Sequence, residues 1–251
     1  MNLANVALRV LFAPQCSACE SPLSHPLSGP VCGVCWQSIA MMTPPCCPIC
    51  GDAMASAALP SCARCSVERP EFARARSAGR YDGSLRAIVH ALKYQRCRAL
   101  AGRLGGMMRE AGLEILSEAD AVVPVPLHPW RRLRRGFNQA DDLARCLGKP
   151  VARVLKRRHH GPPQARLPSG RREGNVRGAF AVRLGARRRV EGRILVIVDD
   201  VMTTGATLNA CSRVLLEAGA RSVYALTAAR AVAGPTAQRL LPPDLSTTRR
   251  R

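Results

Sequence analysis

The chain has little lysine and few aromatic rings. Lysine occurs only at positions 93, 149 and 156, and aromatic residues make up 4% of the 251. So few rings leave few platforms for stacking bases, which argues against a stacking-driven nucleic-acid binder. No apolar run approaches the ~20 residues needed to cross a bilayer, so no membrane span is predicted. A GxxxxGK[ST] loop is also missing, because Gly148-Lys149 is followed by Pro150. That excludes a P-loop nucleotidase. Met1 to Ala13 holds one Arg inside a short apolar stretch and no clear cleavage site. No secretory signal is therefore predicted, and a cytoplasmic location is expected. In that compartment disulfides are rare, and paired cysteines more often hold metal.

Positive charge and cysteine are abundant. The net charge is +21, almost all of it from Arg. The Arg bias, with so many Ala and Gly, is partly a matter of base composition. The clusters at 131–135, 156–158, 171–172, 187–189 and 249–251 still suit polyphosphate or nucleic-acid partners. Twelve cysteines are present, most of them before residue 66. Eight form CxxC pairs: Cys16/Cys19, Cys32/Cys35, Cys47/Cys50 and Cys62/Cys65. A CxxC turn brings two thiolates onto one ion, and a second such turn closes a tetrahedral site. The simplest assignment is two structural Zn2+ sites, one from the first two pairs and one from the last two. Redox pairs and an iron–sulfur cluster are the alternatives. Cys46 is a spare thiol that could exchange with Cys47. Cys97, Cys146 and Cys211 read as core residues, and His25, His159 and His160 as solvated.

The most informative stretch runs from Val196 to Leu208. An apolar strand, Ile194 to Val198, is predicted to stop at Asp199 and Asp200, before a Thr- and Gly-rich loop and a helix over 206–218. Carboxylates can accept hydrogen bonds from vicinal hydroxyls, and together they can hold water on Mg2+. The loop Met202 to Thr207 offers backbone N–H groups and the hydroxyls of Thr203, Thr204 and Thr207. The helix start adds a positive dipole end. A diol at the acids and a phosphate at the loop describe a ribose 5-phosphate. A bare strand and N-cap leaves the two acids unexplained; a receiver-type acidic pocket leaves the Thr-rich loop unexplained.

The rest of the chain supports an α/β reading. Helices are predicted over 84–95, 98–112 and 138–147, with strands near 72–82, 121–125 and 222–228. Glycines 102, 105 and 106 weaken the second helix. The expected division is a cysteine module over 1–70, a main domain over 71–231 and a disordered tail over 232–251.

Asp199 to Thr207 resembles the 5-phosphoribosyl 1-pyrophosphate (PRPP) motif of type I phosphoribosyltransferases. With the cysteine module, the chain resembles the ComF family, phosphoribosyltransferase-like proteins associated with DNA uptake. Leu92-Lys93-Tyr94, Arg135-Gly136-Phe137-Asn138-Gln139 with Leu143-Ala144, and Gln164, Leu167, Arg172, Asn175 and Phe180 carry that likeness further. The resemblance implies a twisted, mainly parallel sheet with helices on both faces, and a small N-terminal zinc module. It assigns Asp199 and Asp200 to the ribose hydroxyls as the catalytic candidates. It also assigns Val198, Met202, Thr203, Thr204, Gly205, Ala206, Thr207 and Arg135 to PRPP, bound with Mg2+. The pyrophosphate loop would fall near Pro126, Leu127 and His128, and 131–135 and 156–178, including Arg172, would cover it. The implied activity is phosphoribosyl transfer with release of pyrophosphate. The other reading is a non-catalytic single-stranded DNA-binding factor working with DNA-uptake proteins.

Overall fold

The computed structural model describes residues 12–158 and 178–232, with Ala4, Asn5 and Leu8. The expected tail, His159, His160, Gln164, Leu167, Arg172, Asn175 and most of the 156–178 cover lie outside the described residues. Two short helices, α1 (Gly33–Gln37) and α2 (Ala63–Val67), each follow the first cysteine of a CxxC pair. The order then runs β1 (Arg74–Arg80), α3 (Gly83–Tyr94), α4 (Leu100–Ala111), α5 (Leu113–Glu118), β2 (Ala121–Pro124), α6 (Pro129–Arg135) and α7 (Gln139–Arg145). After these come β3 (Leu155–Arg157), β4 (Phe180–Val182), β5 (Ile194–Met202), α8 (Ala206–Glu217) and β6 (Ser222–Arg230).

Four strands form one parallel sheet in the order β1-β6-β5-β2. Strands β3 and β4 make a separate antiparallel pair that the sequence did not reveal. Being buried on both faces, β5 reads as a continuous apolar run. Val196 and Val198 enter the core on one face, with Leu85, Ile88 and Leu92 of α3, Leu104 and Met108 of α4, and Leu143 of α7. Leu195 and Ile197 enter the other, with Leu208, Cys211 and Leu215 of α8 and with Phe180. Each fully buried Leu or Ile contributes roughly 1.5–3 kcal/mol, so both faces are strongly held.

The cysteine segment has no core of its own. Cys16, Cys35 and Trp36 pack into the first cluster, and Cys47, Cys50 and Cys65 into the second. Each half of the segment is thus bound to a different face of the sheet. Composition changes near residue 70, but the packing runs through.

One strand limit differs from expectation. The acids do not end β5; it continues through them to Met202. Its partner β6 continues beside it, pairing Asp199 with Thr227, Val201 with Ala229 and Met202 with Arg230. On its other side β2 stops at Pro124, and the ladder ends where the Val125 N–H donates to the Val198 carbonyl (2.9 Å). Pro126 has no N–H to extend that ladder. The end of β5 therefore stands past β2 with an open edge.

Candidate functional site

That open edge lies at a switch in topology. Of the two helices that follow β2, α7 packs on the first face, and the helix after β5, α8, packs on the second. Open α/β sheets bind ligands in such crevices, at the carboxyl ends of their strands.

Adjacent strand residues point to opposite faces, and this separates the two acids. Asp200 turns toward α3 and meets Lys93, Nζ to Oδ1 at 2.7 Å. It is 4% exposed, and its Oδ2 is buried with no partner. Asp199 turns to the α8 side, toward Arg157 and Cys211, and its Oδ1 accepts from the Asp200 N–H at 2.8 Å. Burial, then the charge of Asp200, pushes the Asp199 carboxyl up to about 7. Burial also raises the Cys211 thiol, with Asp199 adding to it, so Cys211 is a neutral core residue. The other two expected core cysteines are only half-buried, Cys97 in the connection between α3 and α4 and Cys146 at the end of α7. His25 is exposed, as expected.

The loop after β5 is a turn built around Gly205, whose φ of +83° suits glycine. A Cβ there would lie 2.9 Å from Met202 Cε. Thr204 Oγ1 accepts from the Ala206 N–H at 3.3 Å, and Thr203 and Thr204 are exposed. Gly205 offers α8 no side-chain cap, so Thr204 Oγ1 takes the Ala206 N–H and the next N–H groups of the first turn are left toward the loop. Val198 is wholly buried and supports the strand from within the core.

A cleft of about 440 Å³ opens beside Pro124, Pro126 and Leu127, with Arg132, Lys156 and Arg157 among its walls. Its two acids are already engaged, Asp142 by Arg98 and Asp141 by Arg145 and Arg153. The cleft is therefore strongly cationic. Arg157 is partly buried over Phe180, and desolvation with nearby Arg131 lowers its pKa. The segment 135–139 frames this cleft. Gly136 (φ +79°) ends α6, Asn138 caps α7, and its Nδ2 donates to the Val125 carbonyl at 3.0 Å. Arg135 stacks on Tyr94, 4.8 Å from the ring, and donates to Gln139.

Each cysteine quartet has its four sulfurs within 4.8 Å of one another. A tetrahedral ion with ~2.3 Å bonds sets sulfurs ~3.8 Å apart. Cys16–Cys35, Cys19–Cys32 and Cys50–Cys62 stand at 3.9, 3.8 and 3.6 Å. Backbone N–H groups of Ala18, Cys32 and Cys62 point at sulfurs, which favours thiolates. The residues fit a metal. Cys46 lies outside the second group and donates to the Thr43 carbonyl. Sequence reasoning missed Lys93, Arg157, Arg64 and Arg230 as site residues. Lys93 carried a signal, as one of only three lysines and the centre of Leu92-Lys93-Tyr94; the arginines were hidden among many.

Comparison with known proteins agrees with this geometry. Residues 119–240 match the phosphoribosyl transferase domain, and residues 7–66 match the double zinc ribbon domain. DNA utilization protein YhgH of Escherichia coli is 31% identical over 83% of this chain and 93% of that protein. Competence protein F of Haemophilus influenzae is 31% identical over 86% of this chain and 90% of its own length. The chain belongs to the ComF family. Its fold class is the one expected, a phosphoribosyltransferase-type parallel sheet with helices on both faces and a cysteine-rich double zinc ribbon at the N-terminal side. A solved structure of glutamine phosphoribosylpyrophosphate amidotransferase from B. subtilis aligns with 51% of this ComF chain and 26% of its own, at 27% identity and a TM-score of 0.35. Among the described residues, no helix is long and apolar enough to cross a membrane.

Proposed function

We propose that this ComF-family protein binds PRPP or a closely related ribose 5-phosphate with Mg2+. The observation that carries the reading is the end of β5, where Asp199 and the Gly205 turn follow one another at a topological switch and Arg157, from the wall of the cationic cleft, faces Asp199. Residues Thr203 to Thr207 hold the 5-phosphate through backbone N–H groups and hydroxyls, and Met202 supports them from beneath. Asp199 accepts from the ribose hydroxyls, and Asp200, turned into the core onto Lys93, holds the strand end that presents it. The 125–128 loop and the cleft, with Arg157, receive the pyrophosphate, and Arg135 braces the helix that borders them. Asp199, partly exposed and facing Arg157, offers hard carboxylate oxygens of the kind Mg2+ takes. Mg2+, when bound, supplies charge neutralisation for the pyrophosphate.

Catalysis on this reading is a displacement at the anomeric carbon. An acceptor nucleophile forms the new bond there, and the bond to pyrophosphate breaks with its electron pair leaving on the phosphate oxygen. The residues hold the reactants and stabilise the departing charge; neither Asp needs to move a proton. The second cysteine group flanks the cradle, where Arg64 reaches the Thr204 carbonyl at 3.1 Å, supporting a role for the module beside the acceptor. Both quartets hold structural Zn2+, the 1–70, 71–231 and 232–251 divisions stand as working domains, and the protein works in the cytoplasm in DNA utilisation.

The deciding experiment is calorimetric titration with Mg-PRPP of the wild type and of Asp199→Asn/Asp200→Asn. Micromolar-range binding that the double substitution abolishes is expected. Equal binding by both forms, or none by either, sinks the reading. A second reading, a non-catalytic single-stranded DNA-binding factor, draws on α6, where Arg131, Arg132, Arg134 and Arg135 accompany an exposed Trp130. Salt-dependent DNA affinity without PRPP binding would favour it.

A further inference from the structure

The second cysteine group and the phosphate cradle share two arginines. Arg64 lies between Cys62 and Cys65 in α2. Its guanidinium donates to the Thr204 carbonyl at 3.1 Å and to the Cys50 sulfur at 3.7 Å, and it stands 3.8 Å from Asp52. Arg230 ends β6 and is fully buried. It donates to the Cys50 carbonyl at 2.8 Å and to Met202 Sδ at 2.9 Å. The same side chain reaches Cys50 Sγ at 3.6 Å and Asp52 at 3.0 Å. Met202 in turn fills the space under Gly205. Cys50 is thus joined to the cradle twice, from outside through Thr204 and from beneath through Met202.

The charges agree with this wiring. A divalent ion held by four thiolates carries two net negative charges. Arg64 and Arg230 face that site, and a guanidinium as buried as Arg230 is costly without such anions. The first group differs. Backbone N–H groups donate to a sulfur in both quartets, but among the described residues no hydrogen bond or ion pair links the first group's cysteines to the cradle.

We infer that the second metal site is part of the phosphate-binding apparatus, with Arg64 and Arg230 as positioning residues that hold the 203–207 cradle in its binding shape. The inference rests on the ribose-phosphate reading of that cradle. It assigns the two quartets different work: the first staples the fold, and the second also shapes the ligand site.

The test uses the full chain as wild type, Arg64→Ala, Arg64→Lys and Cys19→Ser. Zinc content, amide hydrogen exchange over 202–209 and Mg-PRPP affinity are measured on each. Arg64→Ala is expected to keep both zinc ions, to speed exchange in the cradle, and to weaken Mg-PRPP about tenfold, an ordinary coupling between sites. Arg64→Lys should fall between, since an ammonium lacks the fork that reaches two partners at once. Cys19→Ser should disturb the first site and leave cradle exchange as in the wild type. Unchanged cradle exchange in Arg64→Ala overturns the inference, and so does equal loosening by Cys19→Ser. If the wild type does not bind Mg-PRPP, the ribose-phosphate reading fails, while faster cradle exchange in Arg64→Ala alone still supports the positional link.

Discussion

The two cysteine quartets have nearly the same spacing and opposite surroundings. The first lies on the α3–α4 face, where Trp36 of α1 carries the Arg103 guanidinium 4.5 Å from its ring and Cys19 is exposed. The second lies on the α8 face, with three of its four cysteines buried, and two arginines connect it to the ligand loop. A duplicated motif fixes the ion chemistry, whereas the side chains around each copy decide what the ion does for the rest of the molecule.

Removing one ligand from each site gives the largest test of that contrast. A structural zinc is worth about 10–16 kcal/mol in isolated fingers, so losing a ligand is severe where the site is buried. Cys47→Ser is expected to lower the unfolding midpoint by more than about 10 °C and to abolish Mg-PRPP binding. Cys19→Ser, at an exposed ligand, should lower the midpoint less and spare binding. Equal losses in calorimetry and titration would erase the distinction between the two faces.

One contact breaks the division of labour. Lys93 of α3 pairs with Asp200, so the first face holds one of the two acids at the end of β5. Lys93→Met leaves a buried carboxylate unpaired, which costs roughly 3–5 kcal/mol. Lys93→Met with Asp200→Asn should recover most of that in urea unfolding. A single-mutant cost below about 1 kcal/mol would mean that the pair behaves as an exposed one.

Much of this was legible in the sequence because the signals were local. The strand around Ile194–Val198, the helix over 206–217, the cysteine pairing and the motif of Asp199 to Thr207 each rest on neighbours in the chain. The extent of β5 was not legible, because β6 sets it from outside by running on to Arg230. The separation of Asp199 and Asp200 follows from that extent, since only a continuing strand sends them to opposite faces. Arg64 and Arg230 were hidden for a different reason. They lie 166 residues apart, and nothing in a chain so rich in Arg marks the two that meet at Cys50.

Asp199 gives a smaller effect on the second face, with a definite sign. Its folded pKa, near 7, is above the unfolded value near 3.8. Between about pH 4 and 7 the folded state therefore binds more protons than the unfolded state, and stability falls as pH rises through that window. Asp199→Asn removes the titration, so its stability relative to wild type should grow by about 3 kcal/mol from pH 4 to pH 7 in ligand-free protein. A constant difference across that range would place the carboxyl in solvent.

The smallest effect probes the first face as packing alone. Gly102 and Gly105 both lie in α4, where Ala is favoured over Gly by about 1 kcal/mol. A Cβ on Gly102 meets nothing within 4 Å, so Gly102→Ala should stabilise by about 0.5–1 kcal/mol. A Cβ on Gly105 would lie 2.3 Å from Cys146 Cβ, where α4 meets α7. There overpacking of about 1–3 kcal/mol outweighs the propensity gain, and Gly105→Ala should destabilise by about 1 kcal/mol. Both variants should bind Mg-PRPP as the wild type does, because neither residue touches the second quartet or the cradle. A change in affinity from either one would show that the α4 face also shapes the site, and the contrast between the two quartets would then be one of degree.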